Sequence, residues 1–153
     1  QLLADGKTLF AYQFKGYWKD VGTIDSLWEA NMDLLDKNNE LDLNDSTWKI
    51  YTEDVSIPPQ YIGENADIKR AFITQGCIID GTVHNSVLFT GARVSRNAKI
   101  IDSVLMPGVE IAEGATVTRA LVAANTKIGK GAVVGSADSE HIELVSKHVK
   151  GVE

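Results

Sequence analysis

Cysteine is almost absent from this chain of 153 residues, which contains only Cys77. No internal disulfide can form, and this favours a reducing compartment. Long apolar runs are also missing, since no stretch approaches the roughly 20 residues of a membrane span. The first residues lack the basic and then apolar order of a signal peptide. We therefore expect a cytoplasmic protein that does not enter a membrane.

Runs of Lys or Arg are absent as well. The chain has 15 basic and 21 acidic residues and a net charge of -6, so neither a nucleic acid nor an anionic membrane surface is an expected partner. Apolar residues make up 44 % of the chain, which excludes wholesale disorder. The sequence starts at Gln1 and soon becomes apolar, and we interpret the chain as a fragment of a longer protein.

An internal repeat occupies residues 62 to 134. Similar segments begin at Asn85, Asp102 and Arg119, 17 residues apart. Within this period Ile, Leu or Val recurs every five or six residues, and most of these anchors are followed three residues later by Gly, Asn, Ser or Ala. Gly and Asn tolerate positive φ, so they can form the corners of a coil. The anchors are residues 62, 68, 73, 78, 83, 88, 94, 100, 105, 111, 117, 122, 128 and 134.

A period near six with three corners per coil predicts a triangular solenoid. Its anchors point inward, and backbone hydrogen bonds join coils about 4.8 Å apart. The pattern resembles the hexapeptide repeat of the single-stranded left-handed parallel β-helix, so the expected fold is mainly β. The first coils should be irregular, because the anchors from Ile68 to Leu88 are only five residues apart.

A different module precedes the repeat. Thr8 to Phe14 has the apolar and aromatic content of a strand. Thr23 is a candidate N-cap for a helix whose apolar face runs from Ile24 to Leu35 and which should end near residues 36–39. Trp48 to Tyr51 is a candidate short strand. A lone strand and helix cannot bury a core, so this module should pack on a partner outside the chain or on the β-helix.

These patterns divide the chain into four parts. The tail is expected to form a capping strand or a short helix. The predicted parts are residues 1–40, the strand–helix module; 41–60, a connector; 61–136, the β-helix; and 137–153, a cap or tail.

The motif "GYWKDVGT", residues 16–23, contains the sharpest candidate site residue, Asp20. Mg²⁺ typically takes one or two protein carboxylates and completes its shell with water and substrate phosphates. The alternative is a turn aspartate that caps the helix from Thr23. The residues alone favour this second interpretation.

Other reactive side chains have ordinary explanations. His84 follows an anchor and should point outward into solvent, and Cys77 occupies a small inner position of the repeat. His141 and His148 lie in the tail without metal-ligand spacing. Asn44 begins a glycosylation sequon, which we discount without a sign of secretion. Six basic residues should be exposed on the coils, either as plain surface or as a phosphate-effector patch: Lys69, Arg70, Arg93, Arg96, Lys99 and Arg119.

Residues 16–35 resemble a distinctive stretch of bacterial ADP-glucose pyrophosphorylase (glucose-1-phosphate adenylyltransferase). The likeness continues in the same order through residues 58–62, 76–94 and 102–111. Related sugar nucleotidyltransferases share the architecture but not the helix sequence "SLWEANMDLL". The resemblance implies the C-terminal portion of that family: the final strand and helix of a Rossmann-like nucleotidyltransferase domain, followed by a left-handed β-helix.

In that family the N-terminal domain transfers the adenylyl group of ATP to glucose 1-phosphate with Mg²⁺. The products are pyrophosphate and ADP-glucose, the glucosyl donor for glycogen. The resemblance makes Asp20 one of two metal-holding carboxylates, with Trp18, Lys19 and Gly22 as its motif neighbours. It also implies a tetramer, homomeric or heteromeric, and allosteric effectors such as phosphorylated sugars near the domain interface.

Three parts of the family's site do not occur in this chain: the glycine-rich nucleotide loop, the second metal-binding Asp and the sugar-phosphate-binding Lys. We therefore expect no complete catalytic site and no activity of the chain alone. Two alternatives stay open, a non-catalytic regulatory paralogue of the same family and a hexapeptide acyltransferase with His84 as its base.

Overall fold

The computed structural model describes residues 3–43, 45–52 and 56–152. Within these ranges one helix is followed by thirteen short strands. That helix has 10 residues and is too short to cross a membrane. The elements are α1 (Ile24–Asp33), β1 (Tyr61–Ile62), β2 (Asp67–Ile73), β3 (Ile78–Ile79), β4 (Thr82–Leu88), β5 (Arg93–Val94), β6 (Lys99–Ile101), β7 (Val104–Leu105), β8 (Glu110–Ile111), β9 (Thr116–Thr118), β10 (Ala120–Val122), β11 (Lys127–Ile128), β12 (Val133–Val134) and β13 (Glu143–Val145).

The strands form a parallel β-solenoid of roughly four coils. One face is a five-stranded sheet in the order β1-β3-β5-β8-β11. The other two faces share an eight-stranded sheet, because β2 and β4 each run around a corner from one face to the next. Strands pair with their equivalents one coil away, for example Val94 with Ile111. The predicted hexapeptide solenoid is confirmed.

The core is a stack of the predicted anchors. From Val83 onward the anchors through Ile128 are at most 1 % exposed, and Val134 is 7 % exposed. Full burial of such a side chain contributes about 1.5–3 kcal/mol. Cys77, Ala92 and Ala98 fill the space beside them and are completely buried. Seven predicted corner residues adopt the expected positive φ, but Asn65 and Gly81 do not. The seven are Gly76, Gly91, Asn97, Gly108, Gly114, Asn125 and Gly131.

One predicted anchor is wrong. Ile78 is 38 % exposed, and Ile79 takes the inner position with 0 % exposure. This coil is shorter than the next one at one corner, where only two residues, Asp80 and Gly81, connect β3 to β4. A Cβ on Gly81 would lie 2.6 Å from the backbone carbonyl oxygens of both Ser95 and Ala98. The short corner therefore brings successive coils so close that glycine is required.

Two predicted strands are also wrong. Within the described residues, 8–14 and 48–51 form neither strand nor helix. A strand needs neighbours that accept and donate its backbone hydrogen bonds, and the solenoid sheets do not extend to these segments. Their apolar side chains stay in solvent, as Phe10 at 91 % exposure illustrates.

The helix begins where the sequence indicates. Thr23 is its N-cap and forms a capping box with Ser26, while the helix ends at Asp33, slightly earlier than expected. The helix packs on the solenoid through its apolar face, Ile24, Leu27, Trp28 and Met32, and through Leu35 just beyond its end. These residues contact outward side chains of the coils and one residue of the tail: Val87, Phe89, Val104, Met106, Leu121 and Ile142. The sequence predicts that this module packs on a partner outside the chain or on the β-helix, and the structure shows the second contact.

The tail extends the solenoid. Of the two forms expected for it, the strand is observed, since Glu143–Val145 pairs with β10. Val149 forms an isolated parallel bridge to Ile128. The tail therefore pairs with the last strand on two of the three faces, β10 and β11, and forms a partial cap on the solenoid end.

Candidate functional site

Asp20 lies in an exposed loop directly before α1. Its Oδ1 accepts a hydrogen bond from the Gly22 backbone N–H at 3.0 Å. This is an Asx turn, and the helix cap is Thr23 instead. A Cβ at Gly22 would lie 3.2 Å from the same Oδ1, so the small residue helps the turn to close. Asp20 therefore forms a turn, but it does not cap the helix.

The carboxylate of Asp20 fits one position in the shell of a magnesium ion. A carboxylate has about four lone-pair sites, so it can ligate an ion while one oxygen accepts the Gly22 N–H. Among the described residues, no group of three or more His, Cys, Asp or Glu side chains is arranged to hold a metal. Because Mg²⁺ uses few protein carboxylates and keeps several waters or phosphates, a single exposed Asp can act as part of a shared site.

The loop carries a set of exposed apolar residues. Trp18 is 76 % exposed and Val21 is 50 % exposed, on either side of Asp20. Upstream, Leu9, Phe10, Tyr12 and Phe14 are 54 to 91 % exposed. So many large apolar side chains within 13 residues are typical of a surface that packs on another protein part.

Two side chains attach the loop to α1. Lys19 Nζ lies 2.8 Å from Asp33 Oδ2 and 3.4 Å from Glu29 Oε2, while the Tyr17 hydroxyl donates to the same Asp33 oxygen at 3.0 Å. The hydrogen bond from Lys19 is the main cause that lowers the pKa of Asp33. The same bond raises the pKa of Lys19. Partial burial, followed by the bond to Asp33, raises the pKa of Tyr17.

Polar contacts attach α1 in turn to the solenoid. The Trp28 indole N–H donates to the backbone oxygen of Asp102 at 2.8 Å, and the Arg119 guanidinium carbon lies 5.6 Å from the Trp28 ring centroid. Near the start of the helix, Asp25 Oδ1 accepts the backbone N–H of Ile142 at 2.8 Å. The loop, the helix and the coils are thus connected by directional contacts as well as by apolar packing.

The remaining candidates occupy structural positions. His84 faces outward, but its Nε2 lies 2.9 Å from Asp67 Oδ2, so it is paired rather than simply solvated. The hydrogen bond to His84 is the main cause that lowers the pKa of Asp67. Cys77 is buried, and burial raises the pKa of its thiol. Asn44 lies outside the described residues.

The tail histidines each have a local partner. His148 Nδ1 accepts the Lys127 backbone N–H at 3.0 Å, and His141 lies 3.4 Å from Asp25. Five of the six basic residues expected on the surface are exposed. Arg119 is the exception, because it packs against Trp28.

The partners of Lys19 were missed by the sequence reasoning. Glu29 and Asp33 are four residues apart, so they lie on one helix face, and a preceding Lys within reach is their natural partner. That spacing was the available signal. Nothing in the sequence indicated that the Asp102 carbonyl would accept the Trp28 indole N–H, since the contact spans 74 residues.

Residues 52–152 match the family model described as "GlmU-like, C-terminal hexapeptide". The chain belongs to this family. A second family model, described as "Nucleotidyl transferase", matches residues 1–37, which precede the GlmU-like hexapeptide region. The solenoid and the loop–helix module are therefore similar to two different families.

Curated relatives of this GlmU-like hexapeptide chain bear the name glucose-1-phosphate adenylyltransferase. The protein of Geobacillus stearothermophilus is 54 % identical over 99 residues, 65 % of this chain and 26 % of the relative. Those of Clostridium beijerinckii and Clostridium acetobutylicum are 52 % and 56 % identical, over 66 % and 65 % of this chain and 26 % of each relative. The resemblance is confirmed, and the chain spans about a quarter of the length of these relatives.

Proposed function

We propose that this chain is the C-terminal part of a glucose-1-phosphate adenylyltransferase. The parent enzyme would form ADP-glucose and pyrophosphate from ATP and glucose 1-phosphate, for glycogen synthesis in the cytoplasm. The observation that carries this proposal is the identity of 52–56 % with relatives of that name. The nucleotidyl transferase match over residues 1–37 supports it, because these residues include the Asp20 loop.

Asp20 is proposed to hold Mg²⁺ together with groups outside this chain. When bound, the ion would neutralise charge that develops on the transferring phosphates. The exposed apolar residues from Leu9 to Val21 are proposed to pack on the rest of the catalytic domain. Since Asp20 supplies one ligand only, the chain alone is expected to have no adenylyltransferase activity.

Assembly and regulation are proposed as the roles of the solenoid. β12 stands at one end of the eight-stranded sheet, and its Val133 is 73 % exposed. An apolar strand at a sheet edge favours contact between copies, and we propose a homo- or heterotetramer. The five basic residues of the coils that are exposed are a proposed binding surface for a phosphorylated sugar effector: Lys69, Arg70, Arg93, Arg96 and Lys99. Light scattering of the chain, with Val133→Asp as a comparison, tests whether this end associates.

A chimera tests the proposed function. The part of the Geobacillus stearothermophilus relative that corresponds to the whole of this chain, including the Asp20 loop, would be replaced by this chain, and pyrophosphate release would be measured. We expect release that requires both ATP and glucose 1-phosphate, and none from the chain alone. A folded chimera without turnover, beside an active full-length relative, would contradict the proposal and favour the regulatory paralogue.

A further inference from the structure

The loop that carries Asp20 is attached to α1 by two side chains that meet on one carboxylate oxygen. Lys19 Nζ and Tyr17 Oη lie 2.8 Å and 3.0 Å from Asp33 Oδ2. Glu29, one turn earlier on the helix, adds a second acidic group 3.4 Å from Lys19. Each contact joins two residues that are far apart in sequence, by 14 positions for Lys19 and by 16 for Tyr17. The contacts therefore set where the whole loop lies on the helix and not only the shape of one turn.

The contact is partly shielded from water. The side chains of Lys19 and Asp33 are 25 % and 35 % exposed, and a charge-assisted hydrogen bond at such a site is stronger and more directional than a solvated ion pair. Asp20, by contrast, is exposed. The loop thus holds one side chain against the helix and presents the next one to solvent.

Holding the Lys19 ammonium group on the helix limits how far the main chain at Lys19 can move, and the main chain of Asp20 with it, because consecutive Cα atoms are about 3.8 Å apart. The Asx turn to Gly22 then sets the direction of the Asp20 carboxylate. The helix that receives the contact is itself attached to the solenoid through Trp28 and Asp25. A continuous series of contacts therefore leads from the coils to the Asp20 carboxylate.

We infer that Tyr17 and Lys19 are positioning residues that bind Asp33 and hold the Asp20 carboxylate in a fixed place relative to α1 and the solenoid. What Asp20 binds rests on the proposed function, whereas the attachment itself does not. A preorganised ligand matters because a displacement of about 1 Å can lower turnover about 100-fold. The competing role for Lys19 is direct contact with a substrate phosphate.

Backbone order in the loop tests the attachment without any substrate. NMR order parameters of the Val21 and Gly22 amides would be compared in the full chain, in Lys19→Met and Lys19→Arg, and in Lys147→Met as an exposed control. We expect about 0.85 in the unsubstituted chain and below about 0.6 in Lys19→Met, with Lys19→Arg and Lys147→Met close to the unsubstituted value. A loop that is equally ordered in Lys19→Met, or mobile in the unsubstituted chain, overturns the inference.

Kinetics of the chimera separate positioning from substrate contact. Positioning predicts that Lys19→Met and Asp33→Asn each lower kcat about 10- to 100-fold and raise the Mg²⁺ concentration for half-activity. The KM for glucose 1-phosphate should stay within about twofold, and the double variant should resemble either single variant. A raised sugar-phosphate KM in Lys19→Met, with normal activity of Asp33→Asn, overturns the inference in favour of substrate contact.

Failure of the two proposals is distinguishable. An unsubstituted chimera without turnover contradicts the proposed function, and the order parameters then decide the attachment by themselves. An active chimera whose Lys19→Met variant keeps normal turnover and normal Mg²⁺ dependence contradicts the positioning role and leaves the proposed function intact.

Discussion

Replacing Trp28 by Phe removes a directional contact between α1 and the solenoid but keeps an aromatic ring in the apolar interface. The lost hydrogen bond to the Asp102 oxygen, 2.8 Å long, is worth about 0.5–1.5 kcal/mol net. The substitution also weakens the cation–π contact of the ring with Arg119, and this weakening adds up to about 1 kcal/mol to the loss. The expected total is about 1–2 kcal/mol, which corresponds to a factor of roughly 5–30 in a local opening equilibrium.

Native-state hydrogen exchange measures this opening directly, because elements of one protein can open independently. In Trp28→Phe the α1 amides, such as that of Leu27, should exchange roughly 5- to 30-fold faster, whereas the amides of Ile100 and Val117 in the coils should not change. Trp48→Phe is the matched control, since Trp48 is 78 % exposed. Unchanged α1 exchange, or an equal acceleration in the coils, would refute the reasoning.

Three further outcomes follow from other parts of the molecule. Gly81→Ala should lower the free energy of unfolding by about 1–3 kcal/mol or more because its Cβ meets backbone oxygens. At Gly91 a Cβ would meet open space, but φ is +72°, so Gly91→Ala should lower the free energy of unfolding by about 1–2 kcal/mol. If urea titrations show a smaller loss for Gly81→Ala than for Gly91→Ala, the short corner is contradicted. Because the pKa of Asp33 is lowered, its stabilisation exists above about pH 3.9 and is lost as the pH falls further. The melting difference between the chain and Asp33→Asn should therefore shrink below about pH 4, and a constant difference would argue against the ion pair. The thiol of Cys77 should react with a thiol reagent only after urea is added, and rapid reaction of the native chain would contradict its burial.

The solenoid was largely predictable because the repeat constrains each position many times over. An inward anchor recurs at each face, so a single ambiguous residue hardly changes the pattern. Ile78 is the position where the repeat pattern does not determine which residue points inward. Both Ile78 and Ile79 are apolar, and only the close approach of the Ser95 and Ala98 oxygens to Gly81 shows where the coil is shortened.

The loop–helix module was predictable only in its local features. Thr23 as N-cap and the apolar face of α1 follow from residue types and spacing. The prediction of a strand at residues 8–14 is wrong because a strand forms only beside neighbouring strands, and a local pattern does not show whether these are present. Likewise, the contact of Lys19 with Asp33 requires the loop to fold back on the helix, and this was not read from the sequence.

Magnesium dependence of the chimera with Asp20→Asn tests the central claim most directly. If Asp20 is a metal ligand, kcat/KM should fall at least about 100-fold, as expected for the loss of several kcal/mol of charge stabilisation. The loop should stay ordered in the chain, and Asp138→Asn, an exposed aspartate of the tail, should keep full activity. Normal magnesium-dependent turnover by Asp20→Asn would contradict the account.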